Sequence, residues 1–165
     1  MIDAVDFIAR DVFADIKAPA PDMAAVSIGD PAEMPPDNLA RFANGLRMEF
    51  LDCDMEGLEK WGFPEEALCT REQFEALRAY VARLHAEPKG YRMVVHCRMG
   101  ASRSAAVALV IHAMTQCEFP RYDDAHFANT HVVLLAEQAL GQAIPIPKKL
   151  EGDEPHPYLP MRLQI

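Results

Sequence analysis

Positive charge is scarce in this chain. Only 16 lysines and arginines stand against 25 aspartates and glutamates in 165 residues, for a formal net charge of −9. A broad basic surface, the counter-charge a nucleic-acid backbone demands, is excluded, so nucleic acid is not an expected partner. Cysteine is sparse as well. Cys53, Cys69, Cys97 and Cys117 are scattered, with no Cys-x-x-Cys and no Cys/His ligand spacing, which argues against a zinc site and against a disulfide framework. Long apolar runs are missing: the longest, Ala105 to Ile111, is far too short to span a bilayer. The first residues carry Asp3, Asp6, Asp11 and Asp15 and no basic start, so they are not expected to act as a signal peptide. These absences lead to the expectation of a cytoplasmic protein of a reducing compartment with no membrane partner. A free thiol persists there without oxidation.

Half of the residues are hydrophobic and a quarter charged, enough apolar side chain for one core. A single domain over residues 1–165 is expected, with a proline-rich extended tail from 142 to 165 (Pro145, Pro147, Pro155, Pro157, Pro160). Ala4 to Ile8 fits either an alternating strand or, through Val5, Ile8, Val12 and Phe13, a helical face. Ala24 to Ile28 reads as a buried strand stopped by Gly29-Asp30-Pro31, and Leu46 to Leu51 alternates as a further strand. Residues 55–69, with Gly57, Gly62 and Pro64, read as an irregular loop holding the only tryptophan, Trp61. Thr70-Arg71-Glu72-Gln73 has the form of a capping box, and Phe74, Leu77, Val81 and Leu84 behind it predict a helix to about Ala86. Tyr91 to His96 reads as a strand, Arg103 to about Cys117 as a helix apolar on nearly every face, and about Asp124 to Leu140 as a last helix. Strands alternating with helices predict an α/β three-layer sandwich with a central, mostly parallel sheet of about four to five strands flanked by helices.

The chemistry-bearing stretch is Val94-Val95-His96-Cys97-Arg98-Met99-Gly100-Ala101-Ser102-Arg103-Ser104. A strand, a tight loop opening on a cysteine and a helix starting at an arginine put a thiol, a row of backbone N–H groups and a guanidinium around one small cavity. Ligands of parallel sheets sit at the carboxyl ends of strands, where this loop lies. The N–H groups of residues 98–103 and the helix N-terminus suit the oxygens of a phosphate-sized anion, and they also stabilise negative charge on sulfur. Gly100 supplies the positive φ that a loop curling its N–H groups inward requires. Arg103 offers a bidentate fork to two oxygens, Ser104 a hydrogen bond to the sulfur, and His96 a pair of ring nitrogens to orient the loop. Arg98 stands beside the nucleophile, where it can meet a second anionic group.

His96-Cys97-x5-Arg103-Ser104, with Gly100 three after the cysteine and Ser102 before the arginine, resembles the protein tyrosine and dual-specificity phosphatase superfamily. The likeness runs from about residue 45 to 117, and more loosely, to small bacterial phosphatase-like proteins, from Ser27-Ile28-Gly29-Asp30 to Asn129. It implies a phosphotyrosine phosphatase-like fold and two-step hydrolysis of a phosphomonoester, with a phosphorylated protein or peptide, or a small phosphomonoester, as substrate and no metal or other cofactor. Cys97 would attack phosphorus while an aspartic acid protonates the leaving oxygen. That acid should follow the preceding strand, and the stretch there is longer than in compact family members. Asp52, directly after the strand, is the first candidate and Asp54 the second. Met99, Ala101 and Ser102 stand where lysines would favour highly charged inositol phosphates, and the sequence shows no tyrosine-recognition loop of the larger phosphatases, so a shallow, dual-specificity-like cleft is expected. Two other readings are a phosphate-binding pseudophosphatase without turnover and a rhodanese-like sulfurtransferase, against which His96 and the Arg-Ser pair argue. Cys53 beside the candidate acid could protect Cys97 by a reversible disulfide or simply pack. Trp61 and Phe63 could line the site mouth or the core. His126 and His131, five apart, share no helix face and form no metal pair.

Overall fold

The computed structural model describes residues 1–149. The strands are β1 (Ile2–Ala9), β2 (Met23–Gly29), β3 (Asn44–Glu49) and β4 (Tyr91–Cys97). The helices are α1 (Arg10–Ala14), α2 (Met55–Trp61), α3 (Arg71–Ala86), α4 (Arg103–Thr115) and α5 (Thr130–Leu140), with short 3-10 turns at Asp37–Arg41, Glu65–Ala67 and Tyr122–Phe127. The four strands form one sheet in the order β1-β4-β2-β3, and every pairing is parallel. The expected α/β architecture is therefore present, with helices over the sheet on both sides.

Alternation along the strands sorts side chains to the two faces. Val5 and Phe7 of β1, Ala24, Val26 and Ile28 of β2, and Met93, Val95 and Cys97 of β4 join the larger core, with α3, α4 and α5. Ala25 and Val94 point the other way, into a smaller core with Phe13 of α1 and Phe42. α4 is buried from Arg103 through Ile111, as a helix apolar all round must be. Its alanines at 105, 106 and 108 let the backbone lie close to the sheet.

The ambiguous N-terminal segment is a strand, because β1 lies parallel beside β4 with Ala9 opposite Cys97. Residues 55–69 are not wholly irregular. Asp54 accepts a hydrogen bond from Gly57 N (2.9 Å) and caps α2, which Gly62 ends in the left-handed conformation (φ +69°). Only Leu58 of α2 is buried, so the sequence shows no apolar stripe for it. The capping box at Thr70 is half formed: Thr70 Oγ1 accepts from Gln73 N (3.3 Å), but the Gln73 amide donates to Glu49 O (2.7 Å). The predicted helix 124–140 is two pieces, broken at Ala128-Asn129 between the last 3-10 turn and α5. Residues 142–149 carry no regular structure but are anchored: Ile144 is buried, its N–H donates to Glu137 Oε1, and Tyr122 Oη donates to Pro145 O. The rest of the predicted tail lies outside the described residues. Among the described residues no helix is long and apolar enough to cross a membrane.

Candidate active site

An all-parallel sheet puts all four carboxyl ends on one edge. The residues that leave those ends are Arg10 after β1, Asp30 after β2, Asp52 shortly after β3, and Cys97 at the end of β4. The loop from Cys97 to Arg103 turns back over this edge, tied to β1 by a hydrogen bond from Arg10 N to Arg98 O (3.3 Å).

Cys97 is 1% exposed. Its Sγ accepts a hydrogen bond from Gly100 N (3.3 Å) and lies 3.1 Å from Ser104 Oγ in the first turn of α4. Gly100 has φ +67°, and a Cβ there would strike the backbone of Ile8 and Ala9, lying 2.8 Å from Ala9 Cα. Glycine at 100 is thus required twice, by the turn and by the close approach of β1. Met99 and Arg98 are exposed on the outside of the loop.

Arg103 is 3% exposed and held by one edge of its guanidinium. Nη1 donates to Asp30 Oδ1 (2.7 Å) and to Phe50 O (2.7 Å). Nε is buried without a hydrogen-bond partner among the described residues, the nearest carboxylate oxygen being Asp52 Oδ2 at 3.9 Å. A buried N–H donor left unpaired costs about 1–3 kcal/mol, so an acceptor supplied from outside would be bound with that advantage.

Asp52 faces the loop. Its Oδ1 accepts from Ser102 Oγ (2.6 Å) and from Asn129 Nδ2 (3.0 Å). Asn129 also gives Nδ2 to Cys53 O (3.3 Å), its backbone N to Ser102 O (3.2 Å), and its Oδ1 accepts from Val132 N (3.1 Å) to cap α5. The break before α5 therefore clamps the Asp52 segment to the cysteine loop. Asp54, the second candidate, spends its carboxylate on the α2 cap.

His96 points to the opposite face of β4 and is fully buried, stacked on Phe13 with ring centroids 4.1 Å apart. Its Nε2 is 2.8 Å from Ser27 Oγ, which also accepts from Arg47 Nη1 (3.0 Å). Burial, reinforced by the guanidiniums of Arg47, Arg10 and Arg103, pushes His96 down to about 3. It is a neutral strut under the loop.

All four cysteines are free thiols. Burial pushes Cys69 up to about 12 and raises Cys117 as well, which fits inert packing residues. Cys53 is half-buried against Gly57. Trp61 and Phe63 are exposed rather than in the core. His126 lies in the 3-10 turn and His131 in α5, where its Nε2 is 3.0 Å from Cys69 O.

The loop residues singled out in the sequence come together, along with three groups the motif does not contain: Asp30, Asn129 and the Phe50 carbonyl. Asp30 was findable by the rule that located the loop, since it is the first residue past the carboxyl end of a parallel strand. Asn129 falls inside the last helix expected from the sequence and is marked there only as the end of the looser family likeness. Comparison with family models, with curated proteins and with solved structures returned no match for this chain.

Proposed function

We propose that the chain is a metal-independent cysteine phosphatase acting on phosphomonoesters, with phosphotyrosine-bearing protein or peptide as the favoured substrate class. The observation that carries this reading is the buried Nε of Arg103, unpartnered among the described residues, at the end of a loop that opens on Cys97. Nη1 is committed to Asp30 and Phe50 O, leaving the Nε and Nη2 edge as a fork matched to two phosphate oxygens. The loop N–H groups and the start of α4 supply the remaining donors, and they act on the transition state without reorganising.

In the first step Cys97 Sγ attacks phosphorus and the bond to the leaving oxygen breaks, while Asp52 gives that oxygen a proton. A phosphocysteine results. Asp52, now a carboxylate, takes a proton from water; the water oxygen attacks phosphorus, the S–P bond breaks, and inorganic phosphate leaves. The Ser104 hydroxyl, 3.1 Å from the sulfur, stabilises the departing thiolate by a hydrogen bond. Asp52 is assigned the proton because it alone of the two candidates reaches the loop.

Hydrolysis of p-nitrophenyl phosphate by wild type, Cys97→Ser, Asp52→Asn and Asp54→Asn, with and without chelator, tests this. Cys97→Ser should abolish turnover, Asp52→Asn should lower kcat by roughly 10²–10⁴, Asp54→Asn should stay near wild type, and chelator should have no effect. Activity that survives Cys97→Ser overturns the mechanism. Phosphopeptide binding without phosphate release would make the chain a binding module, and thiosulfate:cyanide turnover in its place a sulfurtransferase.

A further inference from the structure

The contacts at the start of α5 treat the two oxygens of Asp52 differently. Oδ1 accepts from Ser102 Oγ (2.6 Å) and from Asn129 Nδ2 (3.0 Å). A carboxyl oxygen offers two lone-pair directions, so these donors fill it. Oδ2 accepts no hydrogen bond among the described residues and lies 3.9 Å from Arg103 Nε. That nitrogen belongs to the guanidinium edge assigned to phosphate oxygens, so Oδ2 stands on the side of the reacting group.

The two donors are unequal. A hydroxyl can turn and accept, so Ser102 tolerates a proton on Oδ1, whereas an amide nitrogen only donates. The Asn129 amide cannot turn over. Its Oδ1 accepts from Val132 N (3.1 Å) and its Nδ2 also donates to Cys53 O (3.3 Å), so a backbone N–H and a backbone carbonyl fix its sense. Asn129 is 7% exposed, which keeps water from replacing these partners. The carbonyl oxygen of a carboxylic acid is a better acceptor than its hydroxyl oxygen. A fixed donor at Oδ1 therefore makes that oxygen the carbonyl and sends the proton to Oδ2. Ser, Thr and Asp cap a helix about as well as Asn, but none carries a donor-only nitrogen beside the capping oxygen.

We propose that Asn129 is a positioning residue for proton transfer: with Ser102 it reserves Oδ1 of Asp52 as an acceptor and leaves Oδ2 as the oxygen that gives and takes the proton. The inference deepens the phosphatase reading and rests on it for the role of Asp52. In the first step the Oδ2–H bond breaks, its electron pair stays on the carboxylate, and the proton joins the leaving oxygen as the bond to phosphorus breaks. In the second, Oδ2 takes a proton from water while the water oxygen bonds to phosphorus and the electron pair of the S–P bond returns to Cys97. The leaving oxygen and the water occupy the same place on phosphorus, opposite the sulfur, so Asp52 serves both steps without turning.

The test is kcat/KM for two substrates, phenyl phosphate, whose phenolate leaves poorly without a proton, and dinitrophenyl phosphate, whose phenolate leaves without one. Wild type is compared with Asn129→Ser, Ser102→Ala and Asp52→Asn, beside inhibition by inorganic phosphate and the denaturant midpoint. Asn129→Ser keeps an oxygen for the α5 cap, and its side chain ends one bond short of the lost nitrogen. It should lower kcat/KM for phenyl phosphate about tenfold and for dinitrophenyl phosphate at most about twofold, with phosphate inhibition and midpoint close to wild type. Ser102→Ala leaves the amide in place and should lose only about threefold on phenyl phosphate. An equal fall on both substrates in Asn129→Ser, or a parallel loss of phosphate inhibition, makes Asn129 a brace of the loop and overturns the proposal. Wild-type turnover of phenyl phosphate in Asn129→Ser, or a larger loss in Ser102→Ala than in Asn129→Ser, overturns it as well. If Asp52→Asn treats the two substrates as wild type does, the proton comes from another group and the role of Asp52 falls together with the inference. If Asp52→Asn separates them and Asn129→Ser does not, the inference alone falls.

Discussion

Asp30 is the residue whose replacement tells most about the site. It is 36% exposed, while the guanidinium it holds is 3% exposed. Breaking a fully buried ion pair costs about 3–5 kcal/mol, and water at the carboxylate reduces that here to about 2 kcal/mol. Arg103 would keep Phe50 O as its other Nη1 acceptor, so it should stay in place but lose its fixed orientation. If the Nε edge binds phosphate only when Nη1 is pinned, Asp30→Ala should lower kcat/KM for p-nitrophenyl phosphate by about 30-fold, the kinetic equivalent of 2 kcal/mol. It should also weaken inhibition by inorganic phosphate. Asp30→Asn keeps an oxygen acceptor without the charge and should fall between. The opposite sign is physically available, because a carboxylate at the mouth of an anion site repels the anion. Tighter phosphate binding or faster turnover in Asp30→Ala would refute the positioning role and make Asp30 a competitor for Arg103.

Gly100→Ala should lower stability by about 2–4 kcal/mol, through a strained positive φ and collision with β1, and should abolish turnover; chemical denaturation and the aryl phosphate assay check both. Asn129→Ala should cost about 1 kcal/mol from the lost α5 cap and should lower kcat for poor leaving groups more than for p-nitrophenol, because Asp52 loses its clamp. His96 is held neutral in the folded state down to about pH 3, while the unfolded chain takes up the proton near 6.5. Its contribution to stability is therefore complete above pH 6.5 and is lost as pH falls from there toward 3, at up to about 1.4 kcal/mol per pH unit. His96→Asn should flatten the dependence of unfolding free energy on pH across that window, and an unchanged slope would refute the assignment.

The readable parts of this chain are those where one physical signal dominates. The short apolar runs of β2 and β4, the all-round apolar surface of α4 and the Thr70 cap before α3 each reflect burial or a local hydrogen bond. β1 was ambiguous because Val5, Ile8, Val12 and Phe13 span a strand and the short helix after it, and the two elements share one apolar run. α2 escaped because it buries Leu58 alone, although Asp54 and Gly62 mark both of its ends. The break before α5 escaped because Asn129 binds Asp52 and Cys53 far away in sequence, and no local pattern records such a contact. The cysteine loop was legible for the contrary reason, since its thiol, glycine, arginine and serine lie within one short stretch. Of the two groups that hold the arginine, Asp30 is marked by its place just past β2, whereas the Phe50 carbonyl arrives only through the fold.

The strand order also governs when the site can come into being. Among the described residues β4 is the only strand beside β1, which is otherwise met by a single bridge at Glu118, and β2 reaches β1 only across β4. Val5 must therefore wait for Met93, and Val26 for Val95, before the sheet can close. Such long-range pairing forms slowly, since the intervening loop must be closed before any contact rewards it. On a ribosome, the first ninety or so residues can pair β2 with β3 but leave β1 unmatched. Insertion of the strand that carries Cys97 thus completes the sheet and assembles the phosphate loop in a single event.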